Sequence, residues 1–244
     1  MSGIEKLTLE KIDHLPPQIQ LWLTKIGMIG KEPIRTARFK QKGFMKLKPD
    51  QKKWIKATAV QTVTTDEPSF IWDAKIKFLP MLNVTGRDVY LNGEGSMVIK
   101  LASLFPIAKV VNNRKVNQST LQRYLLEMPW YPSAAANEYL TWEIIDQLAV
   151  KATMTYKGTS GTAVFHFNES GDLQKVSALR YKTGDEQAKL IECIGEVMET
   201  NEVDGIILPT KLNVSWMLDE GKFTWFKVEI YDVEFNVPTI SSRI

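Results

Sequence analysis

Cysteine and histidine are scarce in this chain of 244 residues, which has one Cys and two His. A disulfide framework needs paired cysteines, so a disulfide-stabilised scaffold is excluded. These three residues are also too few for a structural zinc site built only from Cys and His, which takes four ligands. We therefore expect neither a metal site nor a cofactor.

Long runs of a single charge and long apolar runs are absent as well. The 31 Lys and Arg and 28 Asp and Glu residues give a net charge of +3 and are mixed along the chain, so no nucleic-acid partner is expected. No stretch approaches the roughly 20 apolar residues of a membrane-spanning helix. Residues 1–10 lack the apolar centre and cleavage site of a signal peptide. We expect a cytoplasmic protein, which associates with membranes only if an anchor preceding residue 1 has been removed.

Large apolar and aromatic side chains are plentiful by contrast. Hydrophobic residues make up 44% of the chain, which includes 7 Trp, 7 Tyr and 10 Phe. A composition this apolar argues against intrinsic disorder. A chain of this length also buries enough surface to form a core without disulfides.

Alternation with a period of two predicts strands along most of the chain. A helical segment at 1–30, with Pro16 and Pro17 in a first turn, precedes a first strand group at 33–111. A helical insert at 119–140 separates this group from a second strand group at 141–236. No linker interrupts the pattern, so we predict a single domain over 1–244.

The predicted fold class is α+β, with about ten or eleven strands and two or three helices. Strands joined by turns this short must be mostly antiparallel, because a parallel crossover needs a dozen or more residues. Strands and helices do not alternate, which argues against a doubly wound α/β fold. We expect a large, curved, mostly antiparallel sheet, forming an incomplete barrel, whose concave face is covered by the helices.

No motif in the sequence predicts catalysis. The segment 93–98 resembles the start of a dinucleotide-binding loop but lacks the third glycine and lies between strands. The segment 158–161 does not have the spacing of a nucleophile elbow. Both are better interpreted as hairpin turns. Whether the protein is an enzyme stays undecided, and the sequence favours a non-enzymatic role.

The segment 121–132 holds the most informative candidates. On a helix, Arg123 and Glu127 share a face, Tyr124 lies beside them, and Trp130 follows a stop at Pro129. A solvent-exposed pair of this spacing would stabilise the helix by only a few tenths of a kcal/mol. If the pair instead points into the concave face, burial requires its charges to be paired or bound to a ligand. Of these two roles, the structural one, in which the pair only stabilises the helix, is favoured over the role in ligand binding.

Polar residues on the predicted strands extend this candidate site. Arg180 and Tyr181, on a late strand, are placed to meet the helix. Gln41, Gln61 and Trp72 lie on early strands. If they face inward, they would give the concave face polar, hydrogen-bonding groups.

Motifs spread over nearly the whole chain resemble an uncharacterised bacterial family of the domain-of-unknown-function type. The matching pieces in this sequence are Leu15-Pro16-Pro17, Gln41 with Gly43-Phe44-Met45, Trp54 with Ala59 and Gln61, Phe70-Ile71-Trp72 with Ala74, Gly86-Arg87-Asp88 with Tyr90, Gly93-Glu94-Gly95, Arg123-Tyr124-Leu125 with Glu127, Trp130 and Pro132, Trp142-Glu143, Arg180-Tyr181, Pro209 and Trp216. The family implies no activity. Its strand pattern is similar to that of the lipoprotein-carrier and lipoprotein-insertion folds, in which an incomplete antiparallel barrel holds acyl chains.

Three functions follow as alternatives. The leading hypothesis is non-enzymatic binding of an apolar or amphipathic, lipid-like small molecule in the half-open barrel, with Arg123 and Glu127 near its mouth. A rival is a hydrolase or isomerase that uses Glu127 or Asp88 with Arg123 and Tyr124. A third alternative is a structural or protein-interaction module whose concave face is filled by side chains. Protein partners are not predicted.

Overall fold

A computed structural model describes residues 5–79, 82–101, 105–111 and 113–237. Its α-helices are α1 (Leu9–Ile12), α2 (Pro17–Lys25) and α3 (Arg114–Glu127). Its strands are β1 (Thr36–Met45), β2 (Ile55–Thr64), β3 (Ser69–Leu79), β4 (Leu82–Leu91), β5 (Glu94–Leu101), β6 (Phe105–Val111), β7 (Leu140–Ile144), β8 (Ala149–Tyr156), β9 (Thr159–Phe167), β10 (Leu173–Tyr181), β11 (Leu190–Val203), β12 (Ile206–Leu218) and β13 (Gly221–Phe235).

All thirteen strands form one antiparallel sheet with the order β6-β5-β4-β3-β2-β1-β13-β12-β11-β10-β9-β8-β7. β1, the first strand of the first group, pairs with β13, the last strand of the second group. This central pairing joins the two predicted strand groups into one sheet. Within the described residues β6 and β7 are its free edges, so the sheet is open, as expected for an incomplete barrel. The number of strands exceeds the predicted ten or eleven.

The sheet curves around α3. This helix contacts β4 and β5 near one end of the strand order and β8, β9 and β10 near the other. The two ends also meet directly, because the Thr159 hydroxyl donates a 3.3 Å hydrogen bond to the carbonyl of Gly93. A flat sheet of this width could not place these strands on the same helix.

Glycines let α3 lie close to the sheet on both sides. A Cβ at Gly95 would collide with the side chain of Thr120, and one at Gly161 would lie 2.7 Å from Cγ of Gln122. Such distances are shorter than any van der Waals contact, so a residue with a side chain would push the helix away from β5 or β9.

The start of α3 differs from the prediction. The helical insert was predicted to begin at residue 119, but the helix begins at Arg114, and the side chain of Asn113 accepts hydrogen bonds from the backbone N–H of Lys115 and Val116. The polar first turns of α3 carry little helical periodicity, which explains the error. Ser119 lies inside the helix and donates a 2.7 Å hydrogen bond to the carbonyl of Tyr181.

Two 3₁₀ segments follow α3, at Met128–Trp130 and Pro132–Ala136. The later part of the helical insert predicted at 119–140 is therefore formed by short 3₁₀ turns. Proline lacks the N–H that continues an α-helix, and the segment instead packs into the core. The indole N–H of Trp130 donates to the carbonyl of Pro209 at 2.9 Å.

The N-terminal helix α2 covers another part of the concave face. Trp22 packs against Phe165 and Phe167, with ring centroids 6.2 and 6.3 Å apart. Gly27, just past the helix, has a φ of 79°, a conformation that glycine adopts without strain. None of the helices within the described ranges combines the length and apolar character required to cross a membrane.

Candidate functional site

Strand register brings the polar candidates of the early strands together. Gln61 on β2 lies directly opposite Trp72 on β3, which in turn lies opposite Asp88 on β4. Directly opposed residues of an antiparallel sheet point to the same face. Gln41 on β1 pairs with Ala59, two residues from Gln61, and therefore shares that face. The sheet thus presents a row of polar side chains toward α3.

Arg123 of α3 is the centre of this polar row. Its Nε donates to Oε1 of Glu127 at 2.8 Å, and one terminal nitrogen donates to Oδ2 of Asp88 at 2.6 Å. The other terminal nitrogen lies 3.4 Å from Oε1 of Gln61. The guanidinium is therefore bound by a residue of its own helix and by residues of two strands.

Glutamine and tryptophan side chains extend the hydrogen bonds into the sheet. Nε2 of Gln61 donates to Oε2 of Glu127 at 2.6 Å, and Nε2 of Gln41 donates to Oε1 of Gln61 at 3.3 Å. The indole N–H of Trp72 donates to Oε1 of Gln41 at 2.7 Å. These four residues, together with Arg123 and Asp88, are called the Arg123 network below.

Burial sets the electrostatics of the Arg123 network. The side chains of Arg123 and Glu127 are each 15% exposed, so this is not a surface ion pair. Burial lowers the pKa of Arg123, but the negative charges of Glu127 and Asp88 outweigh it and raise the pKa overall. The guanidinium also lies 4.8 Å from the ring centroids of Phe70 and Trp72, a favourable cation–π arrangement.

Burial perturbs the carboxyl group of Asp88. Burial raises its pKa above the usual 3.8, and the positive charge of Arg123 offsets only part of that effect. Its carboxyl group therefore gives up its proton less readily than an exposed aspartate.

A cavity of about 510 Å³ adjoins the Arg123 network on the concave face. Its walls are mostly apolar. The apolar lining residues include Met45, Ile76, Val84, Met97, Ile99, Leu126, Trp130, Leu212, Val214, Trp216, Phe223, Trp225, Phe226 and Val228. Gly86 and Gly195 also line it, and Cβ atoms built there would meet nothing closer than 3.7 and 3.9 Å. Small residues at inward positions thus help to leave the space open.

The cavity extends from the Arg123 network to the strand ends. Along β1 it runs from Gln41 to Lys46, which at 3.4 Å per residue is about 17 Å. Lys46, Arg180 and Lys182 line it, and each lies at or just beyond the end of β1 or β10. These three cations are called the basic rim below.

A β-bulge shapes the cavity wall. Val214 pairs with Phe226 while the next residue, Ser215, pairs with Thr224, so Trp225 is an extra residue on β13. As a result both Trp225 and Phe226 line the cavity, although neighbouring strand residues ordinarily point to opposite faces. The indole N–H of Trp225 is buried without a hydrogen-bond partner among the described residues.

The structure brings most of the sequence-predicted site residues to one place. Those that line the cavity are Gln41, Trp72, Arg123, Glu127, Trp130 and Arg180. Gln61 is fully buried behind them and belongs to the Arg123 network.

Besides Gln61, two candidates do not line the cavity. Tyr124 is fully buried and its hydroxyl lies 2.9 Å from that of Tyr139, in a cluster of tyrosines where burial raises its pKa well above 10.0. Tyr181 lies beside α3, with its ring centroid 5.2 Å from Nζ of Lys115. Tyr124 points away from Arg123 because neighbouring positions of a helix face different directions.

Several cavity residues were missed from the sequence, among them Lys46, Lys182 and Phe223. The period of two could have indicated Lys182, because this residue follows Arg180 by two positions at the strand end and so points to the same face. The bulge at Trp225 gave no sequence signal. Among the residues that the structure describes, no group of three or more His, Cys, Asp or Glu side chains could hold a metal ion.

Comparison with known families gives one match. A family model covers residues 13–235 of the chain. The chain belongs to DUF6920, a family of unknown function. This confirms the resemblance to a domain-of-unknown-function family, whereas the likeness to lipoprotein-carrier folds stays a prediction. No curated protein matches the chain. The matched range contains the whole Arg123 network and the whole cavity lining, so both lie in the part of the chain that defines DUF6920.

Proposed function

We propose that this protein binds an apolar or amphipathic, lipid-like small molecule in the cavity of its half-open sheet, without catalysing a reaction. The observation that supports this function is the cavity itself. Its volume of about 510 Å³ falls within the range of roughly 300–1,000 Å³ typical of small-molecule sites, which are mostly apolar with a few polar groups.

The Arg123 network supports the same function. Its charged groups bond to one another, so a ligand need not compensate them when it displaces water from the cavity. An apolar chain of the ligand can then contact the surrounding Trp, Phe, Met, Leu, Ile and Val side chains, with a gain proportional to the apolar area removed from water. An interaction module with a filled concave face is not proposed, because the concave face holds this cavity.

Bound molecules provide the direct test. Protein purified under native conditions is extracted with organic solvent, and the extract is analysed by mass spectrometry. We expect an apolar molecule in stoichiometric amount from the wild type and a strongly reduced amount from Gly195→Phe, which places a ring in the cavity where a Cβ has room.

A matched control is Lys75→Phe, because Lys75 is exposed on β3 outside the cavity lining. It should retain the bound molecule. Thermal melting checks that both variants fold. If the wild type contains no bound molecule, and binds none of a panel of fatty acids, alcohols and amines, the proposed function is wrong.

A second candidate function is acid–base catalysis in the same cavity, and the raised pKa of Asp88 favours it. General acid–base catalysts work best when their pKa lies near the working pH, and the carboxyl of Asp88 lines the cavity. A panel of ester and amide substrates tests this function. Activity that Asp88→Asn abolishes and Asp73→Asn preserves would support it, since Asp73 is an exposed partner of Arg87.

A further inference from the structure

The cavity lining carries more positive than negative charges. Its carboxylates are Asp88 and Glu127, and Arg123 bonds to both. The basic rim adds Lys46, Arg180 and Lys182, and within the described residues none of these three forms an ion pair with a carboxylate. Arg180 also lies within electrostatic range of Asp88, whose pKa it lowers, so the uncompensated positive charge at the strand ends is that of Lys46 and Lys182.

Aromatic rings and backbone atoms hold the basic rim in place of carboxylates. Nζ of Lys46 lies 5.0 Å from the ring centroid of Trp54, and Nζ of Lys182 lies 5.7 Å from that of Phe223. Arg180 donates from Nε to the carbonyl of Ser119 at 3.0 Å and from one terminal nitrogen to Sγ of Cys193 at 3.7 Å, which leaves its other terminal nitrogen available.

We infer that the ligand is an anionic amphiphile whose charged head, a carboxylate or phosphate, binds the basic rim while its apolar chain extends toward the Arg123 network. This inference rests on the proposed function and adds the charge and orientation of the ligand. The reverse orientation is disfavoured, because the guanidinium of Arg123 is already occupied by two carboxylates and a second anion there would be repelled by them.

Amphiphiles of equal chain length and different head charge test the inference. Dodecanoate, dodecanol and dodecylamine are titrated into the protein at neutral pH, below their micellar concentrations. Binding is followed by tryptophan fluorescence, since Trp72, Trp130, Trp216 and Trp225 line the cavity. We expect dodecanoate to bind about tenfold or more tightly than dodecanol, the difference expected for one charge-assisted hydrogen bond. Dodecylamine should bind most weakly.

Variants of the basic rim assign this preference to its cations. In Lys46→Gln/Lys182→Gln we expect the preference for dodecanoate over dodecanol to fall at least threefold. Lys75→Gln removes an exposed lysine outside the cavity and should leave the preference intact. Replacing dodecanoate with dodecyl phosphate distinguishes the two kinds of anionic head.

The outcomes separate this inference from the proposed function. Equal binding of dodecanoate and dodecanol, or tighter binding of dodecylamine, overturns the anionic preference and leaves apolar binding standing. A preference that survives in the double variant also overturns the role of the rim. Absence of binding by all the amphiphiles overturns both. If the double variant does not fold, the wild-type comparison of the three head groups still decides.

Discussion

Two regions of the same concave face are built differently. In the first, which we call the packed region, α2 and α3 lie on β8 and β9, and Trp22, Phe165 and Phe167 fill the space between helix and sheet. In the second, the cavity region, β3–β5 and β11–β13 enclose about 510 Å³ beside the Arg123 network. One sheet thus combines a region packed for stability with a region that keeps free volume and buried charge.

The difference shows how free volume can be maintained in a stable fold. In the packed region, Gly161 lets α3 approach β9, and the side chains of Leu121 and Gln122 fill the space beside this glycine. In the cavity region, Gly86 and Gly195 face no such partner. The same residue type therefore permits close packing in one place and leaves open space in the other, depending on what the opposite element supplies.

Truncating one phenylalanine in each region should produce the largest contrast. Phe165→Ala removes a fully buried ring whose centroid lies 5.3 Å from that of Trp142, and should lower the free energy of unfolding by about 3–5 kcal/mol. Phe226→Ala removes a ring that lines the cavity, where a surface facing free volume has no packing partner to lose, so about half that loss is expected. Urea unfolding measures both. Equal losses would contradict the division into two regions.

Breaking the Arg123 network should cost nearly as much. Arg123→Met leaves the carboxylates of Asp88 and Glu127 without their cation, and the expected loss is about 3 kcal/mol. Arg123→Lys keeps the charge but loses the planar arrangement of donors, so it should be intermediate. Chemical unfolding at pH 7 tests the order. Full stability of Arg123→Met would show that the network does not stabilise the fold.

Adding a methyl group at a glycine should have opposite signs in the two regions. Gly161→Ala should destabilise by about 1–2 kcal/mol, because its Cβ would lie 2.7 Å from Gln122. Gly86→Ala should stabilise by roughly 0.5 kcal/mol, since its Cβ would meet Trp72 at an ordinary 3.7 Å and the unfolded chain loses freedom. Thermal melting of both variants gives the sign. Two losses of equal size would mean that the space at Gly86 is not free.

The pH dependence of stability should also differ between the regions. This is the smallest of the expected effects. Burial raises the pKa of Asp88, so its folded form holds a proton to higher pH than its unfolded form. Its contribution to stability must therefore fall as the pH rises above 3.8. Asp172, which pairs with Lys25 of α2, has its pKa lowered by that hydrogen bond. The contribution of Asp172 to stability is present above pH 3.8 and is lost as the pH falls below that value.

Unfolding measured between pH 3 and pH 7 for Asp88→Asn and Asp172→Asn checks these signs. The stability of Asp88→Asn relative to wild type should increase with pH, whereas that of Asp172→Asn should decrease. The second change should be small, because Asp172 is 54% exposed and solvent screens the pair. Parallel slopes would contradict the assignment of Asp88 to a buried, charge-bearing region.

Local patterns predicted much of this architecture. The alternation of strand residues, the Pro16-Pro17 start of α2 and the stop at Pro129 each depend on neighbouring residues alone, and the corresponding elements lie where expected. The start of α3 at Arg114 was missed because its first turns are polar, and contacts with the sheet hold them.

The candidate site could be predicted only in part. The spacing of Arg123 and Glu127 indicated a shared helix face, and the residues themselves carried that information. Their burial could not be read from the sequence, because it depends on β4 and β2 bringing Asp88 and Gln61 to the helix. Nor did the spacing of Tyr124 reveal that it joins Tyr139 in a separate cluster.

By itself the sequence determined the kind of fold: many antiparallel strands, few helices, and too few Cys and His for disulfide or zinc scaffolding. These properties follow from composition and from interactions between residues close in the chain. Only the tertiary structure decided that the sheet bends around α3, that the Arg123 charges are buried together, and that a cavity remains beside them. The reason is physical: curvature, burial and free volume depend on contacts between strands far apart in the sequence.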